Sequence, residues 1–589
     1  MISINVVSLI CYINVIISIK VQEIRTTHIQ HELDNEIRYS EIGAVILDTT
    51  NSYVYSKGTY QYNEKRKVHN GLCKNIFPDL VVGPKSTEDV SKIIKIANRY
   101  NVPISVRSGG HSYTCTNIKK EGIHLDLRSL NKIQLTDRFP FQPPGPALIL
   151  GPGSTWDRVL KHIPATKYTM IHGQCLTVGV GGYILGGGVN AVGTSQRYGS
   201  GALNVLEYTM VDAKGNIVKA SENNVTLYNT ESNRNEQIEN SFGLYRSLQL
   251  AGSSFGIVTE FHYRIFQGPE ILPSIALVYI EDRVDLWKLQ KAGLDGRYSI
   301  SMHISMWFTP IDLFDKEMRS RTIFRLLLKF LPKLQFRRAS PVIIAIVENS
   351  PQKYQLKTNK EKAYKFLEDH GLRVAVKGKL SEMYQPSSLD YQDYESVYLS
   401  QEQIKREGFR PIISANFMNI TNIKSIDHLL MRHPLFGIHN YGTRLAAKQG
   451  CEYCFLAIVI SSQNVFEKLP TFSEFRFTPF EEIQPNDVGN FQVELSCLYK
   501  PNINSKCPRV VRNAKRLIDK AAIHSGERLT QYYNTPSCDS KSKKFNKRYW
   551  SEKNNILLQS AKQHWDPKNM FHHCHSVGSK IENCCPPDA

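Results

Sequence analysis

The stretch Arg-Ser-Gly-Gly-His-Ser-Tyr-Thr-Cys, residues 107 to 115, sets two glycines directly before His111 at the end of a short apolar run. Glycines at the end of a strand let main-chain N–H groups approach and surround an anion, and an imidazole beside them adds a nucleophile or a proton carrier. Two more clusters follow within the next hundred residues: Gly179, Gly181 and Gly182 with Gly186, Gly187 and Gly188, then Gly199 and Gly201. Cys175 stands just ahead of the first of these. None of the clusters spells G-x-G-x-x-G at a strand-to-helix turn, and none is a Walker loop. Tight turns in a β-rich domain explain any one cluster. Three clusters with a histidine favour a large phosphate-bearing cofactor. On residue type alone His111 also fits a turn or core histidine, and Cys175 also fits a disulfide partner.

Other candidate chemistry is weaker. His572, His573, Cys574 and His575 stand in a row, but neighbours on an extended chain point in opposite directions and rarely ligate one ion, so a structural or disulfide use is favoured. Cys451 and Cys454 form a lone C-x-x-C, which in a secreted chain reads as disulfide material. No G-x-S-x-G elbow supports a Ser-His-Asp hydrolase. The net charge of +19 is scattered, and its densest runs, 316 to 338 and 541 to 548, match no nucleic-acid fold or finger spacing. The first of these alternates basic and apolar residues, which fits a solvated basic helix or an anionic membrane surface. Nucleic acid is therefore not expected as a partner.

The elements that must position these residues begin at Leu80 to Val82, a short strand. Ser86 followed by Asp89 gives a capping-box-like helix start, with Val90, Ile93, Ile94 and Ala97 on one face. Pro103 opens a second strand, Ile104 to Val106, which runs into the glycines. Short alternating strands broken by glycine continue to about residue 267, with few helical patterns between them, which indicates α+β organisation. From 268 to about 525 strand-like runs such as PVIIAIVE, CFLAIVISS and QVELSCLY alternate with charged helical stretches, including KEKAYKFLEDHG. A helix at KNNILLQSAKQHW and the sequence DPKNMF mark the tail.

At 589 residues the chain exceeds a single core, so two or more domains are expected. Residues 1–19 are uncharged and mostly apolar, as in a secretory signal or a signal anchor, with a removed signal favoured, and no later stretch reaches 18 apolar residues. After signal removal no stable membrane span remains, and the expected location is secreted or extracellular. Twelve cysteines suit an oxidising compartment, as do acceptor sequons at Asn224 and Asn419. Setting aside Cys11 in the signal and Cys175 leaves an even number for disulfides. The expected division is a signal at 1–19, a weakly patterned amino-terminal extension at 20–70, a glycine-rich domain at 71–267, a second domain at 268–525, a completing element at 526–580 and a tail at 581–589.

The segments PDLVVGPKSTEDVSKIIKIANRYNVPISVRSGGHSY, GQCLTVGVGGYILGGG and LAGSSFGIVTEF together resemble the PCMH-type FAD-binding module of the vanillyl-alcohol-oxidase superfamily. The tail, YYN through RYWSEKNNILLQSAKQHWDPKNMF, is similar to the carboxy-terminal element of the berberine-bridge-enzyme-like branch. The resemblance implies a two-part FAD domain and a substrate domain with an antiparallel sheet and covering helices. It implies FAD held twice, by His111 at the flavin 8α-methyl and by Cys175 at C6. Cofactor contacts are implied at Arg107, Ser108, Gly109, Gly110, Ser112 and Tyr113, at Gly179, Gly181, Gly182, Gly186 and Gly187, at Gly256, Ile257 and Val258, and at Asn534. Tyr532 matches a family tyrosine placed to take a substrate proton. Val178, three residues after the cysteine, implies room for O2 and hence an oxidase. Val189 and Asn190, where plant members carry an aromatic residue and glycine, and Thr535 depart from the pattern, so the plant catalytic arrangement does not transfer whole.

The expected activity is that of a secreted oxidase taking a hydride from an alcohol, sugar or related small molecule and reducing O2 to hydrogen peroxide. Two alternatives remain: an oxidative-cyclising or dehydrogenating biosynthetic flavoenzyme, and a non-catalytic secreted binding protein on the same scaffold.

Overall fold

A computed structural model of the chain describes residues 30, 32–136, 145–163, 168–173, 177–189, 200–267, 274–280, 288–289, 291–292, 295, 298–307, 340–348, 360–379, 410–418, 455–462, 491–499, 530–531, 534, 549–550, 552–581 and 584. The signal at 1–19 with Cys11, the basic runs 316–338 and 541–548, the C-x-x-C, Asn419 and Gly199 lie outside them.

A small mixed sheet carries the first glycine loop. It has the order β1-β2-β4-β3, formed by Tyr53–Ser56 (β1), Leu80–Gly83 (β2), Ile104–Arg107 (β3) and Ile123–Asp126 (β4). Strands β2 and β3 both pair parallel to β4, and β1 runs antiparallel along the edge of β2. Helix α3, Thr87–Tyr100, makes the crossover between β2 and β3. Its start is capped as the sequence suggests, with the Ser86 hydroxyl accepting from the Asp89 amide at 3.0 Å. Asp89 itself does not close a reciprocal box. Its carboxylate accepts instead from the amides of Lys85 and Asn51, tying the helix to the chain that precedes β1. Val90, Ile93, Ile94 and Ala97 are completely buried. Each of the larger three contributes about 1.5–3 kcal/mol by leaving water.

Residues 32–70 are more than an extension. A helix over 32–49 (α1) buries Tyr39, Ile42 and Ile46 in the same core as β2 and α3. Helix α2, Tyr60–Arg66, and a 3-10 turn, Gly71–Cys73, then lead back to β2. Tyr39, Ile42 and Ile46 recur at helical spacing, but Leu33, Ile37 and Leu47 lie exposed on other faces and blur the stripe.

Beside this layer lies a seven-stranded antiparallel sheet of order β11-β10-β9-β8-β12-β6-β5. Its strands are Ile133–Thr136 (β5), Ala147–Leu150 (β6), Val205–Val211 (β8), Ile217–Ser221 (β9), Val225–Asn229 (β10), Arg234–Gln237 (β11) and Ile257–Arg264 (β12). Tyr168–Thr169 (β7) pairs with Phe266–Gln267 (β13). Trp156 of helix α4, Trp156–His162, and helices α5, Val180–Leu185, and α6, Leu244–Ala251, pack on this sheet around Tyr208, Phe255, Phe261 and Tyr263.

A third, eight-stranded sheet is antiparallel throughout, in the order β17-β14-β16-β15-β19-β20-β18-β21. Its strands are Ser274–Ile280 (β14), Tyr298–Trp307 (β15), Ser340–Glu348 (β16), Arg373–Lys379 (β17), Arg410–Met418 (β18), Phe455–Ser462 (β19), Phe491–Tyr499 (β20) and Thr530–Gln531 (β21). The three apolar runs singled out in the sequence are β16, β19 and β20, and KEKAYKFLEDHG holds helix α7, Lys360–Asp369.

The tail returns to the second sheet. Helix α8, Glu552–Trp565, places Leu558, Ala561 and Trp565 in the core built by β6, β8 and β12. The buried ammonium of Lys562 donates to the carbonyls of Ser254 and Phe571 and to Asp566, and Asp566 accepts from the amides of Met570 and Phe571. In the row of histidines that follows, Cys574 is disulfide-bonded to Cys584, and His573 shares a hydrogen bond with Ser253 at 2.9 Å.

Candidate active site

The loop after β3 lies at the carboxyl end of the parallel strands, the edge of an open α/β layer where ligands bind. Three chain segments meet there. Gly109 and Gly179 touch main chain to main chain: a Cβ on Gly109 would stand 2.3 Å from the Gly179 nitrogen, and one on Gly179 2.2 Å from the Gly109 nitrogen. The Ser108 hydroxyl donates to the Pro152 carbonyl at 2.5 Å, and the Gly181 amide donates to the same carbonyl at 3.2 Å. Trp156 and Val178, and Val180 and Ser154, pair through their main chains. Gly110 takes φ +83°, which a side chain would strain, and the site of its missing Cβ lies 2.9 Å from the Arg107 Nε.

Beneath this loop sits a buried charge cluster. Arg128 grips Asp126 with Nε and Nη2 at 2.7 and 2.6 Å, and the Tyr53 hydroxyl donates to Asp126 at 2.6 Å. Burial pushes the Asp126 carboxyl up, but the Arg128 hydrogen bonds and the charges of Arg107 and Arg128 outweigh it and hold the group at about 2. Arg107, resemblance-assigned to the cofactor, turns down into this cluster, where Nη1 donates to the Lys65 carbonyl at 2.7 Å. Burial lowers it only to about 10, so it stays charged at neutral pH. Burial, then the charge of Arg107, drops His124 to about 3, which keeps it neutral. Two guanidiniums against one carboxylate leave a net positive charge under a ring of glycine amides. The buried Arg107 Nε has no hydrogen-bond partner among the described residues.

His111 is half-buried on this loop. Its Nε2 shares a hydrogen bond of 3.1 Å with the Thr177 hydroxyl. His69 stacks on it with ring centroids 4.2 Å apart and planes 15° from parallel. The hydroxyl of Ser112 turns back to Thr116 at 2.8 Å, and the Tyr113 carbonyl accepts from Asn70 at 2.8 Å. Val178 packs its side chain against the core of the second sheet. Gly182 is exposed, with no described residue within 4 Å of where a Cβ would stand. Gly187 takes φ +101°, and its carbonyl accepts from Ala202. The Asn534 amide donates to the Tyr183 carbonyl at 2.9 Å and sits where a Cβ on Gly186 would be. Gly256, Ile257 and Val258 open β12 against Val211 and Met210, in the floor between α3 and the larger sheet. Cys175 and Tyr532 lie outside the described residues.

The structure thus brings together the His111 loop, the Val178–Gly182 turn and, through Asn534, the tail. His69, Asn70, Thr177 and the Gly151–Ser154 turn were not among the expected site residues. A positive floor and tight glycine turns at the carboxyl end of the parallel strands fit a large anionic cofactor such as FAD.

Comparison with known proteins agrees. Residues 78–221 match the family described as FAD binding domain, and 531–578 match that described as berberine and berberine like. The chain is 34% identical over 195 residues to the FAD-dependent monooxygenase tpcD of Cochliobolus heterostrophus, covering 33% of each chain. It is 23% identical over 514 residues to the FAD-linked oxidoreductase easE of Claviceps purpurea strain 20.1, covering 84% of this chain and 91% of that protein. Among solved structures, a chitooligosaccharide oxidase superposes with a TM-score of 0.62 at 16% identity, over 92% of this chain and all of that one. BBE-like 1 of Physcomitrella patens superposes with a TM-score of 0.61 at 17% identity, over 92% and 99%. The two matched segments and this architecture define a flavoprotein of the PCMH-type FAD-binding superfamily. Within it, the chain belongs to the berberine-bridge-enzyme-like FAD-linked oxidoreductases. No helix among the described residues is long and apolar enough to cross a membrane.

Proposed function

We propose that the protein is a secreted oxidase with bicovalently held FAD, His111 and Cys175 being the two anchors. Bound FAD supplies a hydride acceptor that passes two electrons on to O2, giving hydrogen peroxide. The observation that carries this reading is the placement of His111: half-buried, on a glycine loop above a net positive charge, with its Nε2 engaged by Thr177. With Thr177 as acceptor from Nε2–H, the imidazole lone pair lies on Nδ1, which is then the bonding nitrogen. Thr177 is two residues from Cys175 in the sequence, and the tight Gly109–Gly179 contact holds the His111 loop against the segment that follows Thr177.

Substrate chemistry is that of a small molecule bearing an oxidisable C–H. Tyr532 takes the hydroxyl proton as the hydride leaves, and Val178 leaves room for O2. The oxidase reading gains support from the fold shared with a chitooligosaccharide oxidase. The second reading, oxidative cyclisation or dehydrogenation, rests on the alignment over most of both chains with easE, named an FAD-linked oxidoreductase and not an oxidase. Peroxide formed in step with substrate loss, without new C–C bonds, separates the two.

Secretion is supported by the disulfides Cys73–Cys115 and Cys574–Cys584, which suit an oxidising compartment, and by exposure of the sequon residue Asn224. The deciding experiment is an absorbance spectrum of acid-precipitated protein redissolved in denaturant. A flavin spectrum in the pellet supports covalent attachment. A colourless protein, with no flavin-shifted peptide at His111 or Cys175, favours a binding protein on the same scaffold.

A further inference from the structure

Two short segments of this chain have the same form: His69-Asn-Gly-Leu-Cys73 and His111-Ser-Tyr-Thr-Cys115. In the folded protein they lie side by side and are laced at four points. The His69 amide donates to the Gly110 carbonyl at 2.9 Å. The Asn70 side chain donates to the Tyr113 carbonyl at 2.8 Å while its oxygen accepts from Leu72, which shapes the 3-10 turn. The two imidazoles stack, and the cysteines at the far ends are joined in a disulfide. Leu72 and Ile118 close around that disulfide in a small apolar cluster of their own.

We propose that His69 is a positioning residue for His111, and that the Cys73–Cys115 bond is the clasp that holds the two rings together for flavin attachment. The inference rests on the reading of His111 as a flavin anchor. An imidazole bonded to a ring carbon must approach with its plane and its lone pair aligned, and a side chain on a glycine-flanked loop has many competing orientations. Stacking on His69 removes the freedom to swing out of plane, and the Thr177 contact removes rotation within it. His69 is buried and has its main chain bonded to the very loop that carries His111, so the two rings move as one body. The disulfide spans 42 residues of chain and closes the pair at the end away from the rings. Its formation therefore precedes efficient attachment, which couples cofactor loading to an oxidising compartment.

The test uses the full-length protein in a Cys175→Ala background, so that pellet flavin after acid precipitation reports the His111 bond alone. Flavin released to the supernatant reports non-covalent binding. His69→Ala is expected to lower the pellet fraction about tenfold, roughly 1.4 kcal/mol on the attachment barrier, while total flavin stays within about twofold. His69→Phe, which keeps ring on ring, is expected to restore at least about half of the attachment. Cys73→Ser with Cys115→Ser is expected to behave like His69→Ala. If His69→Ala retains full covalent loading, or if alanine and phenylalanine reduce it equally, the positioning role is overturned. If the cysteine pair fails to fold, the histidine series still decides. Absence of pellet flavin in the Cys175→Ala parent, with flavin present in wild type, overturns the assignment of His111 itself, a result distinct from failure of the clasp.

Discussion

Gly109 and Gly179, far apart in the chain, meet backbone to backbone with no space for a side chain on either. The contact holds the His111 loop against the turn that opens at Val178. Alanine at position 109 would overlap the Gly179 main chain, which cannot yield as a flexible side chain can. Gly109→Ala is expected to cost about 3 kcal/mol or more and to abolish flavin binding. Chemical denaturation together with flavin content checks this.

The two proposed anchors are expected to act separately. His111→Ala and Cys175→Ala are each expected to keep flavin in the acid pellet through the remaining bond, and the double variant to release all of it. Thr177→Val, which removes the hydroxyl but keeps the shape, is expected to slow the His111 bond alone, seen as reduced pellet flavin only when Cys175→Ala is present.

Val178 gives its carbonyl to the Trp156 amide and half of its side chain to the core, so a larger aliphatic residue must extend outward. Val178→Leu is expected to slow reoxidation by O2 about tenfold, about 1.4 kcal/mol on that barrier, with the reductive half-reaction little changed. Stopped-flow measurement of the two half-reactions checks the split.

Asp126 is the hub of the charge cluster beneath the loop, and removing its charge strands the buried guanidinium of Arg107 and the half-buried one of Arg128. Asp126→Asn is expected to cost about 3–5 kcal/mol. Because its folded value of about 2 lies below the ordinary 3.8, the carboxylate's stabilisation is complete above 3.8 and lost as pH falls through about 2. Wild type should therefore lose stability over that window more steeply than Asp126→Asn, by thermal unfolding against pH.

Lys119 presents the opposite sign. Its ammonium is buried with no hydrogen-bond partner among the described residues, and desolvation, with Lys562 nearby, lowers it to about 8. Between 8 and the ordinary 10.5 the unfolded chain binds more protons, so this residue makes stability rise with pH there. Lys119→Met is expected to stabilise the protein by about 1–3 kcal/mol at pH 7, with the gain shrinking through that window. Denaturant midpoints at pH 7 and 10 check it.

Much of this fold was legible because its signals are local. The face of α3, the runs of β16, β19 and β20 and the glycine clusters each declare themselves within a dozen residues. Helix α1 did not, since Tyr39, Ile42 and Ile46 share the segment with the exposed Leu33, Ile37 and Leu47 and are singled out only by packing against β2. The resemblance implied a cofactor contact at Arg107, yet its side chain lies against the Asp126 charge, a relation set by the pairing of β3 with β4. The spacing of His69 and Cys73 matches that of His111 and Cys115, so the clasp left a trace in the sequence. Its pairing across space did not.

Trp550, Leu558, Ala561, Trp565 and Val577 fill a core whose other walls are made before residue 266, with the eight-stranded sheet lying between them in the chain. A ribosome that has finished β12 has therefore produced a layer with one greasy side uncovered, and some three hundred further residues must emerge before its cover arrives. Nascent chains are expected to need chaperone shelter through that interval. Capture of the dinucleotide then belongs to the completed polypeptide, after synthesis and not during it.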